Sequence, residues 1–131
     1  MIERNQPLSC FLRNDDVASD EPKLRQLLAL CAKNETPISL AIIPERLTSE
    51  AVRLLTNSCG LIELHQHGWR HTNHETIGKK CEFGASRDYE TQYADLAAGQ
   101  ARMNEAFGTS WFPAFTPPWN RCTATTAQAL I

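Results

Sequence analysis

The chain has four histidines, and all of them fall within ten consecutive positions: His65, His67, His71 and His74. His67 and His71 are four residues apart. On one helical turn that spacing puts both imidazoles on one side, where they can share a metal ion. His65 and His74 are weaker ligand candidates, and His65, two residues before His67, fits better as a group that supports the site. Two neighbouring carboxylates, Asp15 and Asp16, lie upstream. Alone, such a pair reads equally as a cap before a helix. Beside a two-histidine site, one aspartate can complete a metal centre and its neighbour can act as general base on an activated water. Two imidazoles and one carboxylate suit zinc or a similar first-row divalent ion, with positions left open for water and substrate. Residues of an extended segment alternate faces, so Arg13 points the same way as Asp15 and is placed to hold it ionised. The other reading of the cluster is a histidine loop that is only structural or solvated.

These residues need elements to bring them together. An apolar strand leads to Asp15, over Leu8 to Arg13. The Ser19-Asp20-Glu21-Pro22 segment starts a helix, and Leu24, Leu27, Leu28 and Cys31 follow at helical spacing. Positions 38–43 form a nearly continuous apolar run between prolines, which predicts a strand buried on both faces. A second helix is capped at Thr48 or Ser49 and carries Val52, Leu54 and Leu55. A third strand runs over Leu61 to His65, and a long polar, irregular stretch follows from Gln66 to Arg87. Loops of that length in a compact domain are often functional. Tyr89, Tyr93, Leu96, Met103 and Phe107 mark a long helix, and Gly108 suits its C-terminal cap. Trp111 to Phe115 reads as a fourth strand, and Thr123 caps a last helix.

Strands alternating with helices imply parallel pairing and right-handed crossovers. Functional groups then gather at the carboxyl ends of the strands. Three such ends carry the unusual residues: Asp15-Asp16, the segment from His65 to His71, and Thr116-Pro117-Pro118-Trp119-Asn120-Arg121.

Order and spacing resemble the polysaccharide deacetylase family, the NodB-homology group of carbohydrate esterases. Its motifs are Thr-Phe-Asp-Asp, His-(Ser/Thr)-x-x-His and Arg-x-Pro-(Tyr/Phe). The matching pieces are Arg13-Asn14-Asp15-Asp16, His67-Gly68-Trp69-Arg70-His71 and Thr116-Pro117-Pro118-Trp119. Glu63 fits the strand that leads into the histidine motif. The resemblance implies a metal-dependent hydrolase that removes acetyl groups from, or cleaves a C–N amide bond in, a carbohydrate or other acylated small substrate. It implies Asp15 as catalytic base and Asp16, His67 and His71 as ligands of a divalent metal, zinc by preference. Pro118 and Trp119 would wall the substrate groove. Trp69 is a further candidate for stacking on a sugar, although core packing suits Trp69 and Trp119 equally and suits Trp111 better. Asn120 accompanies them as a supporting residue. The sequence departs from the motifs at Asn14, at Gly68 where a serine or threonine usually stiffens the loop, and in the third motif, which lacks its arginine. Arg13 or Arg121 is expected to stand in for that arginine.

The implied fold is α/β: a partial (β/α) barrel of the polysaccharide deacetylase type, about four parallel strands with flanking helices. A complete barrel of this kind needs more chain than 131 residues. Residues 1–131 therefore read as a single α/β domain, the N-terminal part of a larger barrel, completed by a missing C-terminal half or by a homodimer. The resemblance also implies a later histidine as acid for the leaving group; no histidine follows His74, and nothing in the sequence places His74 itself over the leaving group. A catalytically incomplete metal- or carbohydrate-binding remnant is the alternative reading.

Composition excludes several other classes. Hydrophobic residues are 42% and charged residues 21%, ordinary for a globular chain. A net charge of -2 gives no electrostatic footprint for nucleic acid or an anionic membrane. No apolar run approaches a membrane span, the N-terminus has no signal-peptide core, and the five scattered cysteines suit reduced thiols. A cytoplasmic location is the expectation.

Overall fold

A computed structural model describes residues 9–58 and 60–131. The elements run β1 (Leu12–Val17), α1 (Pro22–Lys33), β2 (Ile38–Ile42), α2 (Ser49–Asn57), β3 (Ile62–His67), α3 (Tyr89–Phe107), β4 (Phe115–Thr116) and α4 (Ala124–Ala129). Short 3-10 turns cover Pro44–Arg46 and Pro118–Asn120. The four strands form one sheet in the order β1-β2-β3-β4, and every pairing is parallel. Sequential parallel order with helical crossovers is the winding of a barrel, and four strands make a curled half of one.

Local chemistry sets the helix ends. Pro22 occupies the first turn of α1, where its missing N–H is no loss. Thr48 caps α2 by accepting from the Ala51 N–H, Asp88 caps α3 through the Thr91 N–H, and Thr123 forms a capping box with Thr126. Gly108 closes α3 at φ +57°, a conformation that favours glycine.

The sheet is two-sided. Ile38, Leu40, Ile42 and Leu64 point into the main core with Leu24, Leu28, Leu55, Met103 and Phe107 of the helices. The opposite, concave face is polar. Arg13, Ser39 and Glu63 lie side by side in register, followed by His65 beside the buried Ala41. A second, smaller cluster of Phe83, Leu96 and Ala129 packs with Trp69 and Phe115 beneath α3 and α4.

Four sequence expectations change. The first strand begins at Leu12 and carries on through both aspartates to Val17, and the predicted start at Leu8 lies outside the described residues. The fourth strand is only Phe115–Thr116, because Pro113 cannot donate to a ladder and Trp111 sits in a turn. Tyr89 and Tyr93 lie outside the buried stripe of α3, which runs through Gln92, Leu96, Gly99, Met103 and Phe107; the two tyrosines stack on each other at the surface. The 66–87 stretch is irregular but not loosely solvated. Cys81, Glu82, Phe83 and Gly84 are all buried, and the Phe83 carbonyl accepts from the Thr126 hydroxyl.

Candidate metal centre

β1 pairs Asn14 with Leu40 and Val17 with Ile42, so three steps on β1 match two on β2. That is a β-bulge. Without it, Asp15 and Asp16 would point to opposite faces and Val17 would turn away from the core. The extra residue is absorbed at Asp16, whose φ is +65°. Aspartate is among the side chains that tolerate this left-handed region best. The bulge keeps Val17 in the core beside Ile42 and delivers both carboxylates to the same rim.

Asp16 Oδ1 lies 3.1 Å from His67 Nε2 and 3.0 Å from His71 Nε2. The donor atoms of these three residues all lie within 4.8 Å of one another, and they are the one such group among the described residues. His67 and His71 do not share a helical turn as the spacing predicted. His67 ends β3, Gly68 turns the chain at φ +62°, and His71 itself sits at φ +55°. Among the described residues, four of the five non-glycine residues with positive φ, Asp16, His71, Trp119 and Asn120, surround the site. Such backbone strain collects where function over-determines the structure.

The hydrogen bonds around His67 fit a cation. Its Nδ1 faces the Thr116 carbonyl at 2.9 Å, and a carbonyl only accepts, so Nδ1 carries the proton. The Nε2 lone pair is thereby aimed at Asp16, the arrangement that orients a metal-ligating imidazole. With donors ~2.0–2.1 Å from a tetrahedral zinc, neighbouring donor atoms lie about 3.3 Å apart, close to the spacing found here. Asp16 is largely exposed and His67 buried, so the centre has one wet side. The residues present therefore fit a divalent ion.

Asp15 stands beside this triad, held by Arg13. One guanidinium nitrogen donates to Oδ2 at 3.1 Å, and Nε approaches Oδ1 at 2.8 Å. That second contact is close in charge but not aligned as a hydrogen bond, so the buried Oδ1 keeps a free acceptor position. The same guanidinium donates to Asn120 Oδ1 at 3.2 Å, tying β1 to the third motif. Arg13 thus occupies the position expected of either arginine. Arg121 does not: it donates to the Lys80 carbonyl, away from Asp15.

The remaining candidates separate by place. His65 is a core group: Ser39 Oγ lies 3.1 Å from Nδ1 and Thr116 Oγ1 2.9 Å from Nε2, which leaves no ring nitrogen for a metal. Burial, then the nearby Arg13 charge, push its pKa below the usual histidine value. Trp119 packs on His71, with ring centroids 4.3 Å apart, and Pro118 is buried against Gly68. Trp69 turns away and packs on the second core cluster. His74 is tied by its backbone to Cys81 and Ser86, and no contact joins its ring to the triad among the described residues.

Sequence reasoning missed Thr116 and Glu82. Thr116 clamps two histidines, one through its hydroxyl and one through its carbonyl. Glu82 is fully buried behind the histidine turn. The apolar neighbours Cys81 and Phe83 were the one sign that this glutamate lies inside.

No family model matches the chain, and no curated protein matches it. Solved structures do. A family 4 carbohydrate esterase from Streptomyces lividans in complex with acetate superposes with a TM-score of 0.66 and 15% identity, over 92% of this chain and 56% of its own. A family 4 acetyl xylan esterase from Clostridium thermocellum in complex with a cobalt ion gives 0.67 and 18%, over 91% and 53%. IcaB from Ammonifex degensii gives 0.69 and 20%, over 88% and 53%. The chain spans about half the length of the structures it matches. Its four parallel strands and flanking helices are therefore part of the (β/α) barrel fold of the family 4 carbohydrate esterases and polysaccharide deacetylases.

Proposed function

We propose that this chain carries the metal-binding half of a deacetylase-type hydrolase acting on an acylated carbohydrate or a similar acylated substrate. The observation that supports this most is the convergence of His67 Nε2 and His71 Nε2 on one oxygen of Asp16. A divalent ion, zinc by preference, supplies there an acidified water and a polarised acyl carbonyl. Asp15 would serve as the base for that water, with Arg13 aiming its carboxylate and Asn120 in turn accepting from Arg13. His67 and His71 would hold the ion, the first oriented by the Thr116 carbonyl. Trp119 lies beside His71, fit for the face of a sugar ring, whereas Pro118, expected to share that wall, is fully buried against Gly68 and braces the turn instead.

One observation favours the second reading, a binding remnant without turnover: the His74 ring has no contact with the triad. Zinc analysis of the purified protein and of Asp16→Asn, His67→Ala and His71→Ala tests the centre. About one zinc per chain that falls away in the variants supports it, and full zinc in all three variants rules it out. Acetate release from acetylated sugars by the zinc-loaded protein then separates hydrolase from remnant.

A further inference from the structure

The His67–His71 turn is held from behind by a carboxylate. Glu82 is fully buried, and among the described residues no cation pairs with it. Its two oxygens accept from consecutive backbone amides: the Arg70 N–H reaches Oε1 at 2.7 Å and the Trp69 N–H reaches Oε2 at 3.3 Å. These amides belong to the turn between the two imidazoles. The carboxylate fits because residue 68 has no side chain. A Cβ at Gly68 would overlap Glu82 Oε2 on one side and Pro118 Cγ on the other. The turn is thus clasped between a buried anion and the proline of the third motif.

A hydrogen bond donated to an ionised acceptor is about twice as strong as one between neutral groups. Two of them on adjacent amides fix the direction of the peptide planes at Trp69 and Arg70. Those planes set where His71 stands relative to His67, whose ring lies 5.2 Å away. A buried carboxylate is costly unless its oxygens are satisfied, so this arrangement is maintained only if the turn keeps its shape.

We propose that Glu82 is a positioning residue that fixes the turn between His67 and His71, and thereby the affinity of the centre for a divalent ion. The affinity part rests on the metal-site reading above. The turn part stands on the two amide contacts alone.

The same loop contains a control. Glu75 occupies the space beside Gly84 and accepts from the Ser86 N–H at 3.1 Å; it is half-buried, and among the described residues no hydrogen bond joins its side chain to the histidine turn. The test compares Glu82→Gln, Glu82→Asp, Gly68→Ala and Glu75→Gln with the unaltered chain. Amide hydrogen exchange is read residue by residue, and zinc affinity by competition with a chelator. The expected result for Glu82→Gln is exchange at Trp69 and Arg70 at least tenfold faster, with Leu40 and Leu64 unchanged, and zinc binding about 10–100-fold weaker. Gly68→Ala should give both changes too, through its left-handed backbone and Pro118 as well as through the carboxylate; Glu82→Asp, which keeps the charge and withdraws it from the amides, decides the matter by the same local exchange if Glu82→Gln does not fold. Glu75→Gln should leave zinc affinity within about twofold of the original. Unchanged exchange at Trp69 and Arg70, an even rise across the whole core, or equal zinc weakening in Glu75→Gln would overturn the proposal. If the unaltered chain takes up no zinc, the metal reading fails by itself. Exchange at Trp69 and Arg70 still decides whether Glu82 holds the turn.

Discussion

The carbonyl oxygen of Thr116 lies 2.9 Å from Nδ1 of His67, while the hydroxyl of the same threonine lies 2.9 Å from Nε2 of His65. One residue of the shortest strand therefore serves two histidines with two different groups. Replacing Thr116 by valine separates them. Thr116→Val keeps the carbonyl and removes the hydroxyl. It should cost roughly 1–2 kcal/mol of stability, because a buried ring nitrogen loses its partner, and should leave zinc affinity nearly unchanged. Denaturant unfolding and zinc titration of the same preparation check both halves.

Arg13 holds Asp15 from the same strand and Asn120 from across the rim. If Asp15 is the base proposed above, Arg13→Gln is expected to lower the turnover of acetate release by about tenfold or more, with zinc content intact, since Arg13 aims that carboxylate. Arg121→Gln, on the Lys80 carbonyl instead, should leave turnover unaltered. Equal losses in the two variants would remove the distinction drawn between the arginines.

An ion bound only by the folded centre must raise folding stability. At zinc concentrations near one hundred times Kd the gain is about 2.7 kcal/mol, a rise of several degrees in Tm. The rise should vanish on adding a chelator and should be absent in His67→Ala. Thermal scans with and without zinc measure it.

Asp88 caps α3, and hydrogen bonds from Thr91 hold its carboxyl below the usual aspartate value of 3.8. The sign follows from linkage: a carboxyl with a lowered folded pKa stabilises fully above the unfolded value, and that contribution fades as pH falls through the folded one. Asp88→Ala should therefore melt at a lower temperature at neutral pH and show a smaller further loss below about pH 4. Melting curves across that range, for both proteins, check the direction.

Much of the scaffold was legible in the residues. Thr48, Thr123, Pro22 and Gly108 carry their positional meaning locally, so the helix ends follow from short-range chemistry. The apolar run over 38–43 shows its burial directly. The site was legible as a set of residues, but its geometry was not. A one-residue bulge changes neither composition nor spacing, so the continuation of β1 through Asp15 and Asp16 has no local signature. The histidines at i and i+4 fit a helical turn as well as the tight loop they occupy, and only the positive φ values of Gly68 and His71 decide between them. Trp119 was marked by the third motif and Trp111 by its apolar strand, and packing places them accordingly, at His71 and on the main core; Trp69 had no such mark and packs on the second cluster. Glu82 was easily passed over, because a glutamate in a polar stretch is ordinarily a surface residue and only its neighbours Cys81 and Phe83 hint at burial.

The bulge in β1 has a practical meaning for anyone altering the site. Asp16 is both the donor shared by two imidazoles and the pivot that resets the side-chain parity of its strand. A β-branched replacement would remove the carboxylate and also resist the left-handed backbone, swinging Val17 out of phase with Ile42. Asparagine or glycine would remove the charge and leave the parity intact. Position 16 therefore accepts a clean loss-of-function change from only a few residue types, and the choice of mutant determines whether an experiment interrogates chemistry or folding.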